Sequence, residues 1–381
     1  MMEDLKSKIN KLASFLKVDS QNQRLLIELV ETCLRAGELE KAEHYLQQGL
    51  SHWPEDSSLL FQKGMLCMYK GEYSVAIDEF SSQLGSKVPQ DIVKYNIAWA
   101  QLALHQPQNA LSTLDGLETL SPRSALLKAR ALHYLGRMKE AEQLLTFAKT
   151  SEETALEAES VSALLALDQE DRESARTKAD AILSKSPRNV EANVIIGTLN
   201  LGDGELQAAE NHFAVALAEK PSSGRGWLGE GLLALLRGEF SHATNSLQKA
   251  VDNMPTHLGT YNALAWAHIC NGDLSNAEKT ALRAKELEPR FSETLGTLAI
   301  INLLKGERNS AAVQAKVANR LSANSFAGRF AQALLESDSG EQEKAEEIVT
   351  QILNSEVNEQ GERLINSLSR FQSLSETKKN D

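Results

Sequence analysis

The feature that most limits what this chain can fold into is an interval of thirty-four residues. Between Val190 and Phe291 small or helix-ending residues recur at that spacing in four positions: Gly197, Gly231 and Ala265; Gly204, Gly238 and Gly272; Ala209, Ala243 and Ala277; Pro221, Pro255 and Pro289. A single closed core imposes no such register, whereas a stack of equivalent helix-turn-helix layers does. The 381 residues would otherwise suggest two or three globular domains, but a layered array grows one unit at a time.

Each recurring residue has a physical reason. Small residues at the eighth position (Gly197, Gly231, Ala265) and the twentieth (Ala209, Ala243, Ala277) let two antiparallel helices approach closely. Ala216, Ala250 and Ala284 at the twenty-seventh let the second helix meet the next layer. Trp227, Tyr261 and Leu295 at the fourth position, with Phe213 and Leu247 at the twenty-fourth, fill the remaining space. Glycine at the fifteenth ends the first helix in the left-handed conformation, and proline at the thirty-second stops the second. In the third copy Ser275 and Glu278 read as a capping box opening the second helix. On these residues the chain resembles the tetratricopeptide repeat. The resemblance implies an all-α fold: a right-handed α-solenoid superhelix of about ten repeats with N- and C-terminal capping helices.

Taken in order, residues 1–22 hold an amphipathic capping helix (Leu5, Ile9, Leu12, Phe15, Leu16), and residues 23–121 hold repeats one to three. In repeat two Pro89 comes one residue late, and the turn of repeat three, His105-Gln106-Pro107-Gln108, lacks glycine. The fourth start then falls at Pro122, three residues early, which predicts an irregular joint near Leu117 to Ala125. Residues 122–189 form repeats four and five, the fifth starting near Leu156 after an acidic, less ordered segment from Ser151 to Ser160. Residues 190–359 carry repeats six to ten, and residues 360–381 a capping helix (Leu364, Ile365, Leu368, Phe371) and polar tail.

A formal charge of −12 with no clustered basic face argues against nucleic acid as a partner. No stretch is long and apolar enough for a membrane span, and the N-terminus lacks a signal peptide's apolar run, so no membrane insertion and a cytoplasmic location are expected. Cys33 and Cys67 share the eleventh position of successive repeats and read as buried thiols. Gly224-Arg225-Gly226-Trp227-Leu228-Gly229 matches the dinucleotide fingerprint in letters only, since helix and not strand is predicted before it. The histidines never fall at i, i+4, and no C-x-x-C, G-x-S-x-G or P-loop occurs, so neither an enzyme nor a cofactor is expected. Acidic residues after the turns (Glu38, Glu72, Glu205, Glu239, Asp273) read as helix-dipole partners.

The resemblance implies that the first helix of each repeat lines a concave groove through positions two, five, six, nine, twelve and thirteen. Carried onto this chain, those positions supply candidate partner-binding residues: Phe61, Met65, Met68 and Tyr69; Tyr95, Asn96 and Trp99; Arg123, Arg130, His133 and Tyr134. This patch is aromatic and methionine-rich with a basic margin, composition suited to interfaces. A second patch holds Asn262 and Trp266 with Leu228, Leu232, Leu235, Ile300 and Leu303, open to reading as groove or as inter-repeat core. The family's clamp for a chaperone's C-terminal carboxylate is met by Asn96 and approximated by Arg123, but Phe61, Met65 and Leu127 stand at its other places, which tells against it. The expected function is a non-catalytic scaffold or adaptor that seats a protein or peptide segment, with Arg123 and Arg130 orienting acidic groups. A receptor for a short signalling peptide, or a substrate-docking subunit of an enzyme or of an envelope or secretion assembly complex, are the alternatives. Oligomeric state is left open.

Overall fold

A computed structural model describes residues 2–355 and Arg363. Its elements are all α-helices. The chain divides into two compact units, at Glu159 and Ser160. The first opens with α1 (Met2–Val18), followed by the hairpins α2 (Gln23–Arg35) with α3 (Leu39–His52), α4 (Ser57–Lys70) with α5 (Tyr73–Ser81), α6 (Gln90–Ala103) with α7 (Pro107–Asp115), and α8 (Pro122–Tyr134) with α9 (Met138–Ala148). The boundary lies within α10 (Glu152–Asp168). The second unit continues with α11 (Arg172–Lys185), α12 (Val190–Gly202), α13 (Leu206–Glu219), α14 (Gly224–Leu236), α15 (Phe240–Asn253), α16 (Leu258–Cys270), α17 (Leu274–Leu287), α18 (Ser292–Leu304), α19 (Arg308–Leu321), α20 (Phe326–Asp338) and α21 (Gln342–Leu353). The capping helix expected over residues 360–381 lies outside the described residues, Arg363 excepted.

The fifteenth position governs where each first helix ends. Gly37, Gly71, Gly136, Gly204, Gly238, Gly272, Gly306 and Gly340 all take φ between +70° and +83° there. Two repeats lacking the glycine adopt the same backbone: His105 has φ of 56° and Glu170 of 61°. Glycine does this without strain, and the other two residues do not. The cap of α17 differs from the predicted one. Asp273 accepts from the backbone N–H of Asn276 at 3.0 Å, and Ser275 lies inside the helix, because the aspartate one residue after the left-handed turn already reaches that orphan donor.

Packing follows the small-residue register. Ala42, Ala76, Ala110, Ala141, Ala175, Ala209, Ala243, Ala277 and Ala311, all at the twentieth position, are fully buried. The eighth-position glycines face large neighbours: a Cβ on Gly197 would stand 2.7 Å from the Phe213 ring, and one on Gly231 2.5 Å from Leu247. In α1, Ile9, Leu12 and Leu16 are buried as expected, but Phe15 is exposed, one residue round the helix from that stripe.

Repeats two to five depart from the regular length. Helices α5 and α7 have only nine residues, against fourteen in α13. Pro89 does not stop α5, which ends at Ser81; it is the N-cap of α6 after an eight-residue connection held by Gln90, whose Oε1 accepts from Gly85 N at 2.8 Å. The next connection, after α7, is tied by Asp91, whose carboxylate accepts from the N–H groups of Glu118 and Thr119 at 2.9 and 3.0 Å. Those bonds hold the Asp91 carboxyl below its ordinary pKa. The segment from Ser151 to Ser160 is not less ordered but helical. The first helix of repeat five starts one turn before Leu156, at Glu152, where Thr154 is buried and donates to the carbonyl of Ala148.

Candidate functional site

Within the first unit a cleft of about 240 Å³ opens between α6, α8 and the start of α10. Tyr95 and Trp99 stand one turn apart on α6 and form one wall. Leu126 and Leu127 of α8 form the other, and Arg123, Arg130, Glu153, Thr154 and Glu157 complete the lining. Trp99 is 40% exposed, unusual for so large an apolar ring, and Tyr73 of α5 braces it edge-on at 5.8 Å. Burial raises the Tyr95 hydroxyl above the ordinary phenol range.

The basic margin is not free. The Nε and NH2 groups of Arg130 both donate to Oε1 of Glu157, at 3.1 and 2.8 Å, and Arg123 pairs with Oε1 of Glu153. Arg130 is the most withdrawn of the four, its side chain 25% exposed against 55% for Glu157 and 65% for Glu153. Glu153, Arg123 and Glu157 are thus exposed to a similar degree, and Arg130 is the half-buried member of the group.

The other sequence-derived residues fall into distinct settings. Phe61 packs on buried Phe80 at 5.3 Å, and Met65 and Met68 join the same partly buried wall against Cys67, Ala76, Val93 and Ile97. Tyr69 and Tyr134 are exposed, the latter stacked on His133 at 6.1 Å. Asn96 spends an amide hydrogen on the Ile92 carbonyl of its own helix at 2.8 Å. Thus Tyr95, Trp99, Arg123 and Arg130 come together, and Phe61, Met65 and Met68 line a neighbouring wall. Cys33 and Cys67 are buried, and burial pushes the Cys33 thiol up to about 11.

Sequence reading missed Glu153 and Glu157, which it had set in a less ordered segment. A signal was present: Glu157 takes position two of repeat five, the groove position that Arg123 takes in repeat four.

In the second unit, Asn262 is buried and accepts from the Thr294 hydroxyl at 3.1 Å, and Ile300 is buried with it. Trp266 is half-buried and touches Phe330 at 6.1 Å and Phe326 at 6.3 Å, the two phenylalanines being stacked. That patch is part core and part surface, and Phe326 and Phe330 were not foreseen. The GRGWLG run opens α14 after the N-cap Ser223 and follows helix α13, with Gly229 set against the Phe213 ring. It is a packing device.

Comparison with known proteins agrees with this register. Residues 161–224 match the family model described as tetratricopeptide repeat. That stretch is matched as tetratricopeptide repeat, and helical hairpins of the same register continue on both sides of it. Among solved structures, the Cut9–Hcn1 hetero-tetramer of APC/C aligns over 92% of this chain and 84% of that one, at 12% identity and TM-score 0.51. A monomeric mutant of IFIT1 with m7Gppp-AAAA aligns over 91% and 93%, at 13% identity and TM-score 0.54. These likenesses concern the fold. No curated protein sequence matches the chain. Among the described residues, no helix is long and apolar enough to cross a membrane, and no group of three His, Cys, Asp or Glu side chains could hold a metal ion.

Proposed function

We propose that this tetratricopeptide-repeat chain is a non-catalytic scaffold that seats a segment of another protein in the cleft between α6, α8 and α10. The observation carrying this reading is Trp99: a large ring, 40% exposed, braced by Tyr73 and lining a cleft that Leu126 and Leu127 complete. A rigid aromatic anchor beside an apolar wall buries much area at small entropic cost when a partner arrives. Phe61, Met65 and Met68 extend the apolar surface along α4, and Tyr69 of α4 and Tyr134 of α8 are exposed. Cut9, of similar fold, is found in a hetero-tetramer with Hcn1, which fits an array whose work is assembly.

The test is affinity capture of the full chain from extracts of its source organism, comparing wild type with Trp99→Glu and identifying what elutes by mass spectrometry. Partners present with wild type and lost with Trp99→Glu, at unchanged helical circular dichroism, are the expected result. Equal capture by both would refute the assignment of this cleft.

A further inference from the structure

We infer that the segment seated in the Trp99 cleft is basic, placing a lysine or arginine side chain among Trp99, Glu153 and Glu157. The inference rests on the reading of the cleft as a docking site and reverses the role first expected of its arginines. An acidic occupant would have to compete for Arg123 and Arg130, which already hold Glu153 and Glu157. A basic occupant adds to those carboxylates without having to take either arginine from them. The bonds that Glu157 accepts from Arg130 Nε and NH2 fall on its Oε1, and the bond from Arg123 falls on Oε1 of Glu153, so these pairs engage one oxygen of each carboxylate. Those carboxylates are well exposed, as is Arg123, whereas the Arg130 side chain is only 25% exposed.

The aromatic wall suits the same ligand. A cation over an indole face is drawn by the ring quadrupole, more strongly where water is partly excluded. This chain makes such a contact elsewhere, with Lys249 Nζ 4.0 Å from the centre of the Trp227 ring. At Trp99, aromatic ring and carboxylates line one cleft. The formal charge of −12 steers basic segments inward from a distance.

Two immobilised pools of degenerate peptides test the inference, each with a central leucine, one flanked by lysine and the other by glutamate. Wild-type protein is expected to be retained by the lysine pool, with retention falling as salt rises from about 50 to about 300 mM. Glu153→Gln with Glu157→Gln should weaken that retention by about tenfold, roughly two exposed charge contacts. The same charge change at Glu343→Gln with Glu346→Gln, on exposed α21, should leave it unaltered and so controls for net charge. Lysine-pool retention that survives the cleft substitutions, or falls equally with the α21 pair, overturns the inference. Preference for the glutamate pool that is lost in Trp99→Glu overturns the charge assignment but keeps the cleft as docking site. Retention by neither pool overturns both.

Discussion

At the fifteenth position of each repeat it is a backbone conformation that recurs, and glycine is only its usual carrier. His105 and Glu170 hold φ near +60° without being glycine. A left-handed L-residue costs about 1–2 kcal/mol, and exchanging it for glycine gives back part of that gain through the larger entropy of the unfolded chain. Glu170 is exposed, so its replacement removes little packing. Glu170→Gly is therefore expected to stabilise the protein by about 0.5–1 kcal/mol, read as a raised midpoint in urea unfolding. No rise would mean that the turn's neighbours already compensate the strain. A similar device, with no sequence signature of its own, joins positions four and thirty-two. Trp227 Nε1 donates to the Pro221 carbonyl at 2.8 Å and the Tyr261 hydroxyl to that of Pro255 at 3.0 Å, so the aromatic ring ties down the backbone of the proline that ended the preceding helix.

Apart from α6 and α18, which begin on Pro89 and Phe291, the capped first helices begin on a side chain that satisfies an orphan N–H, and several kinds of residue do this. Asn22, Asp56, Asn189, Ser223 and Ser325 use an oxygen; His257 uses Nδ1, accepting from Thr260 N at 3.2 Å. That cap requires the ring nitrogen unprotonated. Burial first, then the Arg225 guanidinium, lower the His257 pKa below its ordinary 6.5, against the opposing pull of Asp168, which Arg225 already holds at 2.6 and 2.8 Å. In the unfolded chain the imidazole takes up its proton first as pH falls. Stability is therefore fully present above about pH 6.5 and is lost as pH drops from there toward the lower folded pKa. His257→Asn keeps an acceptor at the cap and removes the proton. It should flatten the fall in Tm between about pH 7.5 and 5.5, leaving a residual slope from His105, His212 and His268, which burial also holds low. An identical slope in the variant would place the acid sensitivity elsewhere. At this scale the glycines and prolines were legible because their constraint is covalent. The cap of α17 and the start of α10 were not: a cap is chosen by geometry among several capable residues, and an acidic run reads as solvated until Arg123 and Arg130 of another helix stand beside it.

Within each unit a layer makes its contacts chiefly with its neighbours, so damage to one layer should stay local. The repeat period was legible because every layer repeats one packing problem, small residue against large. The cleft was only half legible. Tyr95, Trp99, Arg123 and Arg130 follow from groove positions on α6 and α8, whereas Glu153 belongs to an extra turn that the period does not contain. Gly64 offers a place to test the locality. A Cβ there would stand 2.6 Å from the ring of Phe80, which is fully buried and packed on Phe61 at 5.3 Å, so the ring cannot simply move aside. Gly64→Ala should cost about 1–3 kcal/mol by overpacking. In native-state hydrogen exchange the amides of α4, α5 and α6 should then lose protection, while those of α14 to α19 in the second unit keep theirs. Acceleration spread evenly over every helix would instead show that the chain opens as one cooperative body, and that the division at Glu159 and Ser160 has no energetic counterpart.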